Sequence, residues 1–258
     1  MKHIISFYSH RKPKLVIREE GVISELQLEG HIDFELSFNR YCKGYRRVNK
    51  DYPCPDQAVS RSLQCRRCRG LELSCASCRG DECLLDVGGG CMLGEHHIYI
   101  ASFGEKIKVG VTRRERLNDR LVEQGADFGV SVAIAEDGLQ ARMIESLLQH
   151  QFGFRNSVRT SEKFKLLATG RELSKQSLEN AIEQIEGFPK VNVGGIIDLS
   201  PLYPTVSRPK IDCELRGDVI GAKGKLLFLR RDGIKALDMG KISGRYVRER
   251  DDACCDAL

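Results

Sequence analysis

"HHIYIASFGEKIKVGVT", His96–Thr112, is the stretch on which the fold turns. Two apolar, β-branched runs, around Ile98-Tyr99-Ile100 and Lys108-Val109-Gly110, flank Gly104-Glu105. Two such runs separated by a short glycine-containing gap read as a β-hairpin. Just downstream, "RRERLNDRLVEQG" places Leu117, Leu121 and Val122 on one helical stripe, with Gly125 as its stop. "GVSVAIA" reads as a third strand. "GLQARMIESLLQHQFG" reads as a second helix with Leu139, Met143, Ile144, Leu147 and Leu148 apolar and Gly153 closing it. The expected order over residues 95–170 is strand, strand, helix, strand, helix.

Outward from this core the pattern changes. Residues 1–41 read as β: Ile32, Phe34, Leu36 and Phe38 alternate along "IDFELSF", the period of a half-buried strand. "LVIREEGVISELQLEG" reads as two strands around Glu20-Gly21. Residues 42–94 are rich in Cys and Arg and poor in large apolar side chains. Residues 171–258 open with an amphipathic helix through Leu173, Leu178, Ala181, Ile182 and Ile185. "PLYPTVSRP" then reads as a linker, glycine-punctuated short strands suit a small β region, and the tail is polar and frayed. The expected class is α+β in four segments: 1–41, 42–94, 95–170 and 171–258.

Composition excludes some classes. No apolar run approaches the ~20 residues that a membrane helix needs. "MKHIISFYSHRKPK" lacks the apolar stretch of a secretory signal, so a cytoplasmic protein is the expectation. The net charge of +5 is mild, but ten Lys and Arg lie between Arg40 and Arg79, opposed only by Asp51, Asp56 and Glu72. That clustering, with Arg113, Arg114, Arg116, Arg230 and Arg231, points to a nucleic-acid partner held through phosphates. Tyr41, Tyr45 and Tyr52 sit in the basic stretch, where rings can stack on single-stranded bases. A solvated charged surface is the plainer reading of the same residues.

Eight of the eleven cysteines fall between Cys42 and Cys91. In a reducing compartment such clusters hold metals rather than disulfides. A two-residue gap lets both sulfurs of one turn face one ion, so Cys65/Cys68 and Cys75/Cys78 are the expected ligands of a structural zinc. Cys54, Cys83 and Cys91 are alternates, and Cys42 adds enough for a second site. An iron–sulfur cluster uses the same thiolates. A segment this poor in apolar residues needs the metal to hold its shape.

The order strand, strand, helix, strand, helix, with "HIY" on the first strand and "KVG" on the second, resembles the GIY-YIG nuclease core. The resemblance implies a set of site residues. Tyr99 stands for the first Tyr, with His97 where Gly is usual, and Gly110 matches the second motif's Gly. Lys108 replaces the second Tyr, where it suits a fixed cation for phosphate. Arg120 stands for the helix Arg, with Arg116 as its competitor, and Gln124 replaces a customary His. Glu145 stands for the carboxylate that holds Mg²⁺ or Mn²⁺; Arg113 and Arg116 would bind phosphate. The implied activity is phosphodiester hydrolysis; the alternative is a zinc-stabilised DNA- or RNA-binding protein that does not cut. A second resemblance, spanning Cys54 to Val247, is to an uncharacterised family that joins a cysteine-rich leader to this core. "CMLGEHHIYIA", "KVGVTR", "RLVEQGA" and "GAKGKLLFL" carry it. Each residue also has an ordinary role: Tyr99 as a core or cross-strand partner, Arg120 and Glu145 paired with each other or with solvent, His96 and His97 as surface residues or one of them as a ligand of the nearby zinc, and His150 as a polar-face helix residue.

Overall fold

A computed structural model describes residues 1–10, 12–47, 50–72 and 94–250. The chain divides into two compact units. One joins Met1–Glu72 to Pro204–Leu258, and the other is Leu73–Tyr203.

The first unit begins with β1 (Lys2–Tyr8), β2 (Lys14–Glu19), β3 (Val22–Gln27) and β4 (His31–Leu36). Glu20 (φ 50°) and Gly21 (φ 84°) make the two-residue turn between β2 and β3. Two positive φ values in sequence match the twist of the flanking strands. A short ribbon, β5 (Tyr45–Arg47) and β6 (Lys50–Tyr52), and one helical turn, α1 (Arg66–Leu71), follow.

The second unit runs through β7 (His96–Phe103), β8 (Lys106–Arg113), α2 (Leu117–Gln124), β9 (Phe128–Ala135), α3 (Gly138–Phe152), α4 (Thr160–Lys165), α5 (Arg171–Ile185) and β10 (Ile197–Asp198). The chain then re-enters the first unit as β11 (Lys210–Asp212), β12 (Leu215–Lys223), β13 (Leu226–Arg230), β14 (Ile234–Asp238), α6 (Met239–Ile242) and β15 (Tyr246–Glu249).

The N- and C-terminal β segments, separate in the sequence reading, form one nine-stranded sheet in the order β11-β14-β13-β12-β4-β15-β1-β2-β3. β15 lies between β4 and β1, so neither end of the chain completes the sheet alone. Ile4, Leu15, Phe34, Leu227 and Val247 share its core. β4 ends at Leu36, and Phe38, expected on the buried face, is 94% exposed. The linker reading of "PLYPTVSRP" coincides with the passage between units at Tyr203–Pro204.

In the second unit β7 is central in the antiparallel order β10-β9-β7-β8. Alternation along β7 splits its side chains between two cores. Ile98 and Ile100 pack with Ile144 and Leu148 of α3 and Leu178 and Ile185 of α5. Tyr99, Ala101 and Phe103 pack with Leu121 and Val122 of α2. α2 and α3 stop at Gly125 (φ 71°) and Gly153 (φ 69°), as their sequences indicate. The α3 stripe needs one correction. Beyond its first residue, Gly138, its buried residues are Ala141, Ile144, Glu145 and Leu148, an i, i+3, i+4, i+7 set, while Met143 and Leu147 are exposed. No helix among the described residues is long and apolar enough to cross a membrane.

Candidate functional site

Two groupings of chemistry-bearing side chains stand out, one in each unit. In the first, the Sγ atoms of Cys42, Cys54, Cys65 and Cys68 all lie within 4.8 Å of one another. A tetrahedral zinc with Zn–S near 2.3 Å places its sulfurs about 3.8 Å apart; Cys54 and Cys65 are separated by 3.9 Å. The four cysteines therefore fit a metal such as zinc in size and in ligand type.

Local structure explains how they meet. Cys65 caps α1, its Sγ accepting from the Cys68 N–H at 3.4 Å, and Cys68 is fully buried one turn on. Cys42 Sγ accepts from the N–H groups of Gly44 (3.4 Å) and Cys65 (3.2 Å). Gly44 has φ 96°, and a Cβ there would sit 1.9 Å from the Tyr52 carbonyl oxygen, so only glycine makes this turn. Cys54 lies between Pro53 and Pro55. The Cys68 N–H holds the Cys65 thiol below the usual range, while burial pushes the Cys42 and Cys68 thiols up. Buried thiols of this kind give up their protons to a cation rather than to water. Arg18, 8% exposed, donates to the Lys43 carbonyl at 2.9 Å. That bond ties β2 to the turn that follows Cys42.

Of the expected ligands, Cys65 and Cys68 are here, joined by the alternate Cys54 and by Cys42. Cys75, Cys78, Cys83 and Cys91 lie outside the described residues. The missed signal is Cys42-Lys43-Gly44, a cysteine followed by a glycine turn whose amide reaches back to the sulfur. Tyr45 and Tyr52 stack on each other across the β5–β6 ribbon, with centroids 5.2 Å apart and planes 9° apart. In this arrangement the two rings satisfy each other.

The second grouping lies on the α2 face of the four-stranded sheet. Tyr99, 1% exposed, pairs in register with Gly110. Its hydroxyl oxygen accepts from Gln124 Nε2 at 2.7 Å and from Lys108 Nζ at 3.3 Å. A Cβ at Gly110 would meet Tyr99 Oη at 2.5 Å and Lys108 Nζ at 2.7 Å. Glycine is thus required where the Tyr99 phenol from β7 meets the Lys108 ammonium over β8. Lys108 is half-buried and also donates to its neighbour's carbonyl. Lys163 Nζ holds the Gln124 carbonyl at 2.6 Å and lies 4.3 Å over the Phe103 ring, locking the end of α2. Gln124 Oε1 is buried and takes no hydrogen bond from the described residues.

The other expected residues are placed as follows. Glu145, 7% exposed, accepts from Arg142 at 2.6 Å. It sits on α3, whose apolar residues cover the opposite face and which packs most extensively along the edge strand β8. Arg120 is exposed and lies 3.5 Å from Glu123, which also binds Arg116 at 2.7 Å. Arg113 is exposed at the end of β8. The structure thus brings Tyr99, Lys108, Gly110 and Gln124 together, whereas Arg120 and Glu145 each engage a neighbour on their own helix. His97, read as a surface group, has Nδ1 2.6 Å from Ser131 Oγ on β9.

The family described as "Protein of unknown function (DUF2797)" matches residues 30–247. Neither the curated proteins nor the solved structures contain a match to this chain.

Proposed function

This chain belongs to the DUF2797 family, and we propose that its Leu73–Tyr203 unit is a GIY-YIG-like core that grips nucleic acid by its phosphates and hydrolyses a phosphodiester. The observation that carries the reading is the junction over Gly110, where Tyr99, Lys108 and Gln124 converge at motif positions. Lys108 is the half-buried cation of that junction and suits a phosphate oxygen without any change of protonation. Glu145 would hold Mg²⁺ or Mn²⁺. One carboxylate is enough for an ion that keeps several waters and takes phosphate oxygens as further ligands, though Arg142 must first release it. The bound ion would polarise the phosphate. The chain's own part is to fix the phosphate at Lys108, to hold that ammonium through Tyr99, and to anchor Tyr99 through Gln124. A zinc-type centre at Cys42, Cys54, Cys65 and Cys68 would staple the other unit, whose exposed Arg66, Arg67 and Arg69 add phosphate contacts.

A second reading, binding without cleavage, is favoured by the Arg142–Glu145 ion pair, which occupies the carboxylate that a metal would need. One experiment separates the two. End-labelled single- and double-stranded DNA and RNA are incubated with the protein in Mg²⁺ or Mn²⁺. Products that vanish with Glu145→Ala support hydrolysis. Salt-sensitive binding that weakens with Lys108→Met and yields no products supports the second reading. Neither products nor binding overturns both.

A further inference from the structure

Along β7, His97 precedes Tyr99 by two residues and so shares its face. The register agrees: His97 lies opposite Thr112 of β8 and Ile134 of β9, and its ring reaches Ser131, the partner of Tyr99. Ile134 is 53% exposed, so the sheet is open to solvent at this end. Tyr99 is closed off by comparison, its hydroxyl oxygen already bonded to Gln124 and Lys108. A phenol so enclosed has no approach for a water molecule.

His97 Nδ1 and Ser131 Oγ share one hydrogen bond of 2.6 Å, and the ring's tautomer decides which of them donates. A serine hydroxyl carries one proton, and besides His97 the Ser131 hydroxyl has the Ala133 carbonyl as an acceptor, 3.4 Å away. With that proton on the Ala133 carbonyl, Nδ1 carries the ring hydrogen and Nε2 keeps its lone pair, the tautomer that a base at Nε2 requires. Burial, reinforced by Arg114 and opposed by Glu95, lowers the His97 pKa from 6.5. That shift favours the neutral ring.

We infer that His97 Nε2 is the proton acceptor for phosphodiester hydrolysis on this face. The inference rests on the hydrolysis reading and adds to it a base outside the motif's tyrosines, at the position where the motif carries glycine. In the step, a water oxygen bonds to phosphorus and its proton passes to Nε2. The bond from phosphorus to the leaving oxygen breaks, and that oxygen takes a proton from solvent. Ser131 is a positioning residue, holding the ring through Nδ1.

Two measurements test this. Long-range ¹H–¹⁵N spectra of the full chain at pH 7 should give His97 as the Nδ1–H tautomer; the Nε2–H tautomer overturns the proposal. Single-turnover cleavage of a labelled oligonucleotide in Mg²⁺ should slow about 100-fold or more in His97→Gly, with affinity within about twofold by the same expected margin, and free imidazole should restore part of the rate. Glu145→Ala reports on the underlying reading. If it abolishes cleavage while His97→Gly cleaves at the wild-type rate, hydrolysis stands and His97 is not the base. If the wild-type chain cleaves nothing, both fall.

Discussion

Gly110→Ala tests the geometry at the centre of the second unit. The added methyl would lie 2.5 Å from Tyr99 Oη and 2.7 Å from both Tyr99 Cζ and Lys108 Nζ. Lys108 is half-buried and can swing outward. Tyr99 is 1% exposed and packed with Leu121 and Val122, so it cannot follow without disturbing α2. Overpacking of this kind costs roughly 1–3 kcal/mol. Displacing the hydroxyl from Gln124 adds about 1 kcal/mol. We predict a loss of about 2–4 kcal/mol in the stability of this unit, summed from those two effects. With two units and no tryptophan in the chain, hydrogen exchange at the β7 and β8 amides is the suitable assay. It assigns the loss to the right unit. In a Tyr99→Leu background the obstructing ring tip is gone, and the same substitution should cost less than about 1 kcal/mol, a coupling of a size usual for touching residues. An equal cost in both backgrounds, or no cost in the wild type, would refute the crossing of side chains over Gly110.

Further expectations concern both units. Cys42→Ser should remove one equivalent of metal, measured by mass spectrometry of metal content; unchanged content would exclude Cys42 from the ligand set. Gly44→Ala should weaken metal retention against a chelator, because its Cβ meets the Tyr52 carbonyl and the turn carrying the amide to Cys42 must open. His3 is 7% exposed, and burial lowers its pKa below 6.5, with Arg18 adding to the shift and the Gly244 carbonyl opposing it. The unfolded chain therefore binds the proton more readily. The contribution of neutral His3 is intact above pH 6.5 and is lost as pH falls through the lower folded value, by up to about 1.4 kcal/mol per pH unit. Denaturation of the first unit followed against pH, compared with His3→Gln, should show that slope flatten in the variant. Lys108→Met should reduce the salt dependence of nucleic-acid affinity by about one phosphate contact; an unchanged slope would place phosphate elsewhere.

Much of this was legible in the sequence, for identifiable reasons. The hairpin, α2, β9 and α3 announce themselves through period and through the glycines that end the helices, because those signals are local. The interlocked sheet of the first unit is not local. Alternation marks β4 as a strand but is silent on which strands it joins, and β15 reaches its place between β4 and β1 only after more than a hundred intervening residues fold elsewhere. The cysteine ligands divide in the same way. Cys65 and Cys68 follow from their spacing, whereas Cys42 and Cys54 arrive through long-range pairing such as the Tyr41–Val59 bridge and the Cys42–Ala58 hydrogen bond. On α3, counting apolar letters buries Met143 and Leu147. The fold instead turns the face holding Ile144 and Glu145 inward, and that a carboxylate is buried there is the less expected result.

Hydrolysis requires Glu145, on the helix that covers the opposite face of the sheet, to reach the same phosphate as the Tyr99–Lys108 junction. Paramagnetic Mn²⁺, titrated into ¹⁵N-labelled full-length protein together with a short oligonucleotide, tests this most directly. The amide signals of Glu145, Gly110 and Gln124 should broaden together, and Glu145→Ala should abolish the effect. Broadening at Glu145 that leaves Gly110 and Gln124 sharp, or no broadening at any of the three, would contradict the hydrolysis reading.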